Sequence, residues 1–144
     1  MDTSLRDLRE PLLEGASLGE ALCQSANRLG RGGPVRIEVV GDAPTLPAFV
    51  AAHAYRIGRE AVTNAVRHAE ARNVEVLLSV IDGRLHLLVA DDGRGLPDRV
   101  RPGANGLRSM RNRAEALGGE LRITGGEGGR GTVVALHAPL GRAA

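Results

Sequence analysis

Near the start of the chain Leu5, Leu8 and Leu12 recur with helical spacing, so residues 4–14 are expected to form a short helix that Gly15 ends. Ser17 and Glu20 in the run SLGE stand at the separation of a capping box, which predicts a second helix to about Leu29. RGGP at 31–34 reads as a turn, and Val35 to Val40 alternates apolar and polar positions as a strand does. Pro47 suits the first turn of a long helix, expected over about 47–70, because its missing N–H would be unpaired there anyway. Residues 73–81 and 84–90 are predicted strands joined by Asp82-Gly83, a pair that readily takes the positive φ of the tightest hairpins. Leu107, Met110, Ala114 and Leu117 return to helical spacing until Gly118-Gly119, and strands are expected at 120–124 and 132–138 around the loop GGEGGRG. This order predicts an α/β (α+β) sandwich with helices on one face of a mixed, mostly antiparallel sheet.

Composition narrows the chemistry. The 144 residues are 42% hydrophobic but only 1% aromatic, so the core must be aliphatic, and the composition argues against base-stacking platforms. All 19 basic residues are arginine. Without lysine, a P-loop NTPase, a protein kinase of the usual fold and Schiff-base chemistry are ruled out, so any nucleotide must be held by another route. Cys23 stands alone, which excludes an intrachain disulfide and a cysteine-rich zinc site; it is expected as a small buried residue on a helix. No run approaches a membrane span and no signal peptide opens the chain, so a cytoplasmic module without membrane contact of its own is expected, whether or not a parent protein is membrane-anchored. The arginines are scattered, which argues against a nucleic-acid partner despite a pI of 9.4.

Four segments interrupt the structural pattern with chemistry. On the long helix, Ala51, Ala54, Gly58, Ala61, Val62, Ala65, Val66 and Ala69 share the arc expected to be buried. Glu60, Asn64 and His68 fall at successive i, i+4 positions on the other side, with Arg67 beside them. That ladder supplies an oxygen donor for a metal, cations for phosphates and a carboxylate for a proton, although a solvated helix face would look the same. Asp91-Asp92-Gly93-Arg94-Gly95 breaks a strand with two acids, able to accept from a ligand amine, and two glycines that permit close backbone approach. Gly103-Ala104-Asn105-Gly106-Leu107 opens a helix with small residues that bare its N–H groups, a phosphate site that needs no lysine. Gly128-Gly129-Arg130-Gly131-Thr132 precedes the last strand and by itself reads equally well as a hairpin turn.

Taken in order, REAVTNAVRHA, DDGRG, NGLRSMRNRA, LGGEL and GRGT closely resemble the asparagine box and the three glycine boxes of the GHKL superfamily. The wording is most similar to the ATP-binding catalytic domain of bacterial two-component sensor histidine kinases, in the nitrate-sensor-like subfamily with short lids, over roughly residues 35–140. The resemblance implies a Bergerat-type fold that binds ATP with Mg²⁺ and transfers the γ-phosphoryl group to a histidine. It implies that Asn64 ligands Mg²⁺, that Glu60 acts on the attacking group, and that Arg67 and His68 lie toward the phosphates. Asp91 would accept from the adenine amine, with Gly93 and Gly95 leaving room for the nucleotide. Gly106 and Leu107 would set a helix end beneath the phosphates, Thr132 would complete the adenine pocket, and residues 96–105 would be the lid.

Two departures qualify the match. Ala104 occupies a position where the second glycine box usually has glycine, which bears on lid geometry. None of His53, His68, His86 and His137 sits in a helix-borne acceptor motif, while LRDLREPLLEGASLGEAL resembles the end of a second dimerisation helix and its linker. The expected division is therefore residues 1–31 as that helix end and linker, and 32–144 as the catalytic domain. The implied partners are ATP, a dimerisation domain bearing the acceptor histidine, and a response regulator downstream. A serine kinase of the anti-sigma-factor type and a nucleotide-dependent interaction module without transfer activity are the rival readings.

Overall fold

The computed structural model describes residues 17–30, 35–43, 46–95, 105–125 and 130–141. In chain order these form helix α1 (Leu18–Gly30), strand β1 (Arg36–Gly41), helix α2 (Ala48–Arg67), strands β2 (Asn73–Ile81) and β3 (Arg84–Asp91), helix α3 (Asn105–Ala116), and strands β4 (Glu120–Gly125) and β5 (Thr132–Pro139). The helix expected over 4–14, the turn at 31–34, Ala104 and nearly all of the expected lid lie outside the described residues.

The five strands make one sheet in the order β1-β2-β3-β5-β4. β1 runs parallel to β2, and every other neighbouring pair is antiparallel, which is the mixed, mostly antiparallel sheet expected. Asp82 and Gly83, with φ of 52° and 72°, form the tight turn of the β2–β3 hairpin. Alternation then sorts the side chains. Val74, Val76 and Leu78 of β2, Leu85, Leu87 and Val89 of β3, and Val134, Leu136 and Ala138 of β5 are all buried in one cluster. The helices cover that face with Leu18 and Leu22, Val50, Tyr55 and Ile57, and Met110 and Ala114. Apart from Tyr55 this cluster is aliphatic or Met, as the composition requires.

α1 belongs to the same core although it lies before residue 31. Its start shows the capping box in full: the Ser17 N–H donates to Glu20 Oε1 at 2.8 Å, and the Glu20 N–H to Ser17 Oγ at 3.2 Å. Asp42, just past β1, adds a tertiary clamp by accepting from Ser17 Oγ at 2.6 Å, the Gly19 N–H at 2.8 Å and the Ala43 N–H at 2.7 Å. Cys23 departs from expectation: it lies on the exposed side of α1, since the buried stripe runs through Leu18, Leu22 and Ala26.

α2 differs from its predicted form in two respects. Val50, Tyr55 and Ile57 join Ala54, Gly58, Ala61, Val62 and Ala65 in its buried face, whereas Ala51, Val66 and Ala69 are only partly covered. The apolar arc is thus wider than expected, because α1 and α3 both pack on this helix in addition to the sheet. The helix also stops at Arg67, with His68 as its cap, rather than at 70. Its end closes locally: the Asn64 carbonyl accepts the His68 and Ala69 N–H groups at 2.9 Å, the Ala65 carbonyl accepts the Ala71 N–H at 3.0 Å, and Glu70 turns into the left-handed region at φ 54°. At the far end of the fold, Gly118 takes φ 67° and ends α3 as predicted. Among the described residues no helix is long and apolar enough to cross a membrane.

The clamp at Asp42 can be tested directly. Burial pushes this carboxyl up, but the donors from Ser17, Gly19 and Ala43 together outweigh it and hold it below the usual carboxylate range. A group so depressed stabilises the fold above its unfolded titration range and loses that contribution as the pH falls through the folded one. Asp42→Ala should therefore lower stability by about 1 kcal/mol at pH 7, in line with loss of a helix cap. Urea denaturation should show the gap between variant and wild type closing as the pH falls below the usual carboxylate range.

Candidate functional site

The end of β3 and the start of α3, distant in sequence, meet at the C-terminal half of α2, and Gly131 joins the β3 end, whereas LGGEL lies apart, with Gly119 against His137 and Ala138. Asp91 is the last residue of β3 and continues the row of Leu85, Leu87 and Val89, so its side chain turns toward the helical layer. Asp92 turns the other way. Its carboxylate accepts the backbone N–H groups of Arg72 at 2.8 Å and Asn73 at 2.9 Å, and the Asn73 side chain at 2.8 Å. The Asn73 side chain, then its backbone, draws the Asp92 carboxyl below the usual range. Asp92 is thus a brace for the α2–β2 connection, and Asp91 is the acid aimed into the cleft.

Burial pushes the Asp91 carboxyl above the usual range, against N–H donation from Gly93 and Thr132, and neighbouring Asp92 adds to the rise. The Gly93 N–H reaches Asp91 Oδ1 at 2.8 Å. Thr132 faces Asp91 in the β3–β5 ladder and is itself buried. Gly93 must be glycine, since a Cβ there would stand 2.5 Å from the Ala69 carbonyl oxygen. Its own carbonyl accepts the Gly131 N–H at 2.9 Å, which ties the residue before β5 to the same spot. Gly95 follows at φ 86°, in the left-handed region that favours glycine.

Arg94 locks this strand end onto α2. Its backbone N–H holds Ala69, its Nη2 donates to the His68 carbonyl at 3.0 Å, and its Nε lies 3.3 Å from Glu70 Oε1. Sequence reasoning named the flanking glycines and passed over Arg94. The available signal was a single cation held between two glycines of the motif.

One to two turns back along α2, Asn64 and Glu60 are half-buried rather than solvated. What covers them is the start of α3. A Cβ on Gly106 would stand 2.8 Å from Glu60 Oε2 and 3.6 Å from Asn64 Nδ2, so bare helix N-terminal backbone lies directly against both side chains. Leu107, half-buried, packs against the core and anchors that end. Arg67 and His68, in contrast, present exposed side chains at the far end of α2; of His68 it is the carbonyl that takes part. The structure therefore brings Glu60, Asn64 and Gly106 together, and likewise Asp91, Gly93 and Thr132, with the end of α2 as their common support.

This arrangement can hold an anion and an amine at once. The α3 N-terminus offers N–H donors that the helix itself cannot pair and the positive end of the helix dipole, and Asp91 offers a partly desolvated acceptor. For a divalent cation the protein oxygens at hand are those of Asn64 and Glu60, and among the described residues no group of three His, Cys, Asp or Glu side chains forms a cage. Such a donor set suits a metal that takes most of its ligands from phosphates and water.

The two neighbouring acids should respond oppositely to neutralisation. The raised Asp91 gives most stability when protonated, and that contribution is lost as the pH rises through its folded titration; Asp92 behaves in the opposite sense. At pH 7 Asp91→Asn should melt no lower than the parent. Asp92→Ala should lose about 1 kcal/mol with its hydrogen bonds. Thermal melts of both variants at pH 7 check the sign of each change.

Comparison with known proteins follows the same geometry. Residues 50–142 match the family described as histidine kinase-, DNA gyrase B-, and HSP90-like ATPase. The sensor histidine kinase LiaS of Bacillus subtilis is 33% identical over 141 residues, which is 97% of this chain and 39% of that protein. The nitrate/nitrite sensor protein NarX of Escherichia coli is 34% identical over 133 residues, covering 92% of this chain and 22% of that protein. The solved blue-light activated histidine kinase EL346 of Erythrobacter litoralis superposes with a TM-score of 0.80 at 30% identity, over 99% of this chain and 48% of that one. The chain thus spans less than half the length of each of these relatives. With this match over the segments that build the site, the chain belongs to the histidine kinase-, DNA gyrase B- and HSP90-like ATPase family, and its relatives there include sensor histidine kinases.

Proposed function

We propose that the site binds ATP with Mg²⁺ and passes the γ-phosphoryl group to a histidine on a dimerisation domain, as the catalytic half of a sensor histidine kinase. The observation that carries this reading is the packing of Gly106 against Glu60 and Asn64, which sets an acid and an amide beside bare helix N–H donors. In this reading Asp91 accepts from the adenine amine, Thr132 closes the adenine side, and Gly93 and Gly95 let the base lie against the chain. The N–H groups of α3, beginning at Gly106 and steadied by Leu107, receive the phosphates. Arg67 and His68 lie at the exposed rim, where they would meet the phosphates from solvent. Asn64 would hold Mg²⁺ through its amide oxygen, and the ion when bound supplies charge neutralisation on the phosphate oxygens.

Transfer would join a ring nitrogen of the acceptor histidine to phosphorus while the bond to the ADP oxygen breaks. Glu60 would take the proton that the imidazole releases. The remaining catalytic contribution is positioning and charge stabilisation by fixed dipoles, which a chain without lysine must draw from backbone N–H groups and arginine. A phosphohistidine made in this way would serve a response regulator.

Calorimetric titration with a non-hydrolysable ATP analogue separates these roles. Asp91→Asn should weaken binding at least tenfold, with or without Mg²⁺, while keeping a cooperative melt. Asn64→Ala should bind the analogue almost as well as wild type without the metal and lose most of the gain that Mg²⁺ brings. Transfer to an added acceptor domain at wild-type rate by Asn64→Ala would refute the assignment.

A further inference from the structure

The face of the sheet turned away from the helices carries a pair of imidazoles that neither the core nor the cleft uses. Leu85 and Leu87 on β3, and Leu136 and Ala138 on β5, point into the core. His86 and His137 fall between them, so strand alternation turns both outward. They are also direct partners in the antiparallel β3–β5 register. Side chains paired in this way start from Cβ atoms about 5 Å apart, close enough for two rings to meet. They do meet: the ring centroids stand 4.5 Å apart, with the planes at 61°.

A shared cation calls for the same spacing. An imidazole nitrogen binds a divalent transition metal at about 2.0–2.1 Å, which sets the ring centre about 3.2 Å from the ion. Two such rings on neighbouring corners of a square or an octahedron then have centres about 4.5 Å apart, and on a tetrahedron about 5.2 Å apart. His137 is exposed and His86 half-buried, so a hydrated ion can reach the pair from solvent.

The row continues on both sides of the pair. Ser79 of β2 faces His86, and Glu120 of β4 faces His137. The Glu120 carboxylate lies 3.7 Å from Arg122 Nε, in an ion pair whose two side chains are largely exposed. Such a pair is worth little, so the carboxylate can exchange Arg122 for an ion held at His137. As the side chains stand, Glu120 is not grouped with the two histidines, so the protein presents two donors and water fills the other positions. The arginines nearest along the ladder, Arg84 and Arg122, belong to the rows on either side, opposite Pro139 and Ala135.

We propose that His86 and His137 form a chelating site for a divalent transition cation of the nickel, copper and zinc group, with Glu120 drawn in as a third ligand. Imidazole selects these metals over Mg²⁺, which keeps to oxygen donors, so the site differs in kind from the one proposed at Asn64. It is also remote from the cleft. Asp91 and Thr132 are paired five positions further along the same ladder, about 17 Å away. Because its two donors come from different strands, a bound ion cross-links β3 to β5 and stabilises the folded sheet. Nothing in this chelate requires the cleft to transfer phosphate.

The test uses the protein free of any polyhistidine tag, with Ni²⁺ and Zn²⁺ as probes. Calorimetric titration should show one equivalent of Ni²⁺ bound per chain, and the melting temperature should rise with Ni²⁺ more than with equal Mg²⁺. An edge-on ring contact without metal affinity would have the same spacing, so the variants must keep a ring. His86→Phe and His137→Phe do so while removing a nitrogen donor, and each should weaken Ni²⁺ binding at least tenfold with a cooperative melt. Glu120→Gln should weaken it less than either. On the wild type, paramagnetic Ni²⁺ should broaden the imidazole NMR signals of His86 and His137 before those of His53 and His68. A wild type that binds neither probe, affinity kept within twofold by both phenylalanine variants, or broadening that begins at His53 or His68 would each overturn the inference.

Discussion

The contact between Gly93 and Ala69 is the constraint on which the site is built. It is an approach of backbone to backbone that any side chain at position 93 would prevent, and it seats the end of β3 on the end of α2. Three hydrogen bonds are organised by it: Arg94 to Ala69, Gly131 to Gly93, and Gly93 to the Asp91 carboxylate. Through them the strand end, Gly131 before β5 and the end of the long helix are joined at one corner. Asp91 can be partly desolvated there because its neighbours are held too close for water to replace them.

A second constraint is the small residue at the start of α3. Gly106 lets the helix end come down onto Glu60 and Asn64, so that a helix dipole, an amide and a carboxylate share one space. In many nucleotide-binding proteins a lysine supplies the positive charge. In the site proposed here that charge would come from the backbone, with arginines at the rim. This solution places strict demands on geometry, because dipoles act only over the first turn and must be aimed. The packing of Leu107, Met110 and Ala114 into the core provides that aim.

The two acids of the DDGRG motif show how alternation in a strand divides labour. Neighbours in sequence, they point to opposite sides, and one braces a connection while the other faces the cleft. The same rule was available from the sequence, since Leu85, Leu87 and Val89 already marked the buried side and Asp91 continues their series.

Local rules reached most of the framework: the hairpin at Asp82-Gly83, the capping box at Ser17 and the stop at Gly118 all depend on residues near in sequence, while the choice of Asp91 over Asp92 came from the resemblance. The order of the glycine segments likewise pointed to a nucleotide site without any contact being known. Long-range packing decided the rest. Beyond the end of α2, Arg94, from another part of the chain, takes the Ala69 carbonyl. Cys23 faces outward because the stripe of Leu18 and Leu22 turns toward α2 and the sheet. Glu60 and Asn64 were indistinguishable from a solvated helix face until α3 was laid over them, and the contact of His53 on α2 with Arg113 on α3 has no local signature at all. A sequence states which residues a helix presents on each side, but what stands opposite is set by the closure of the core.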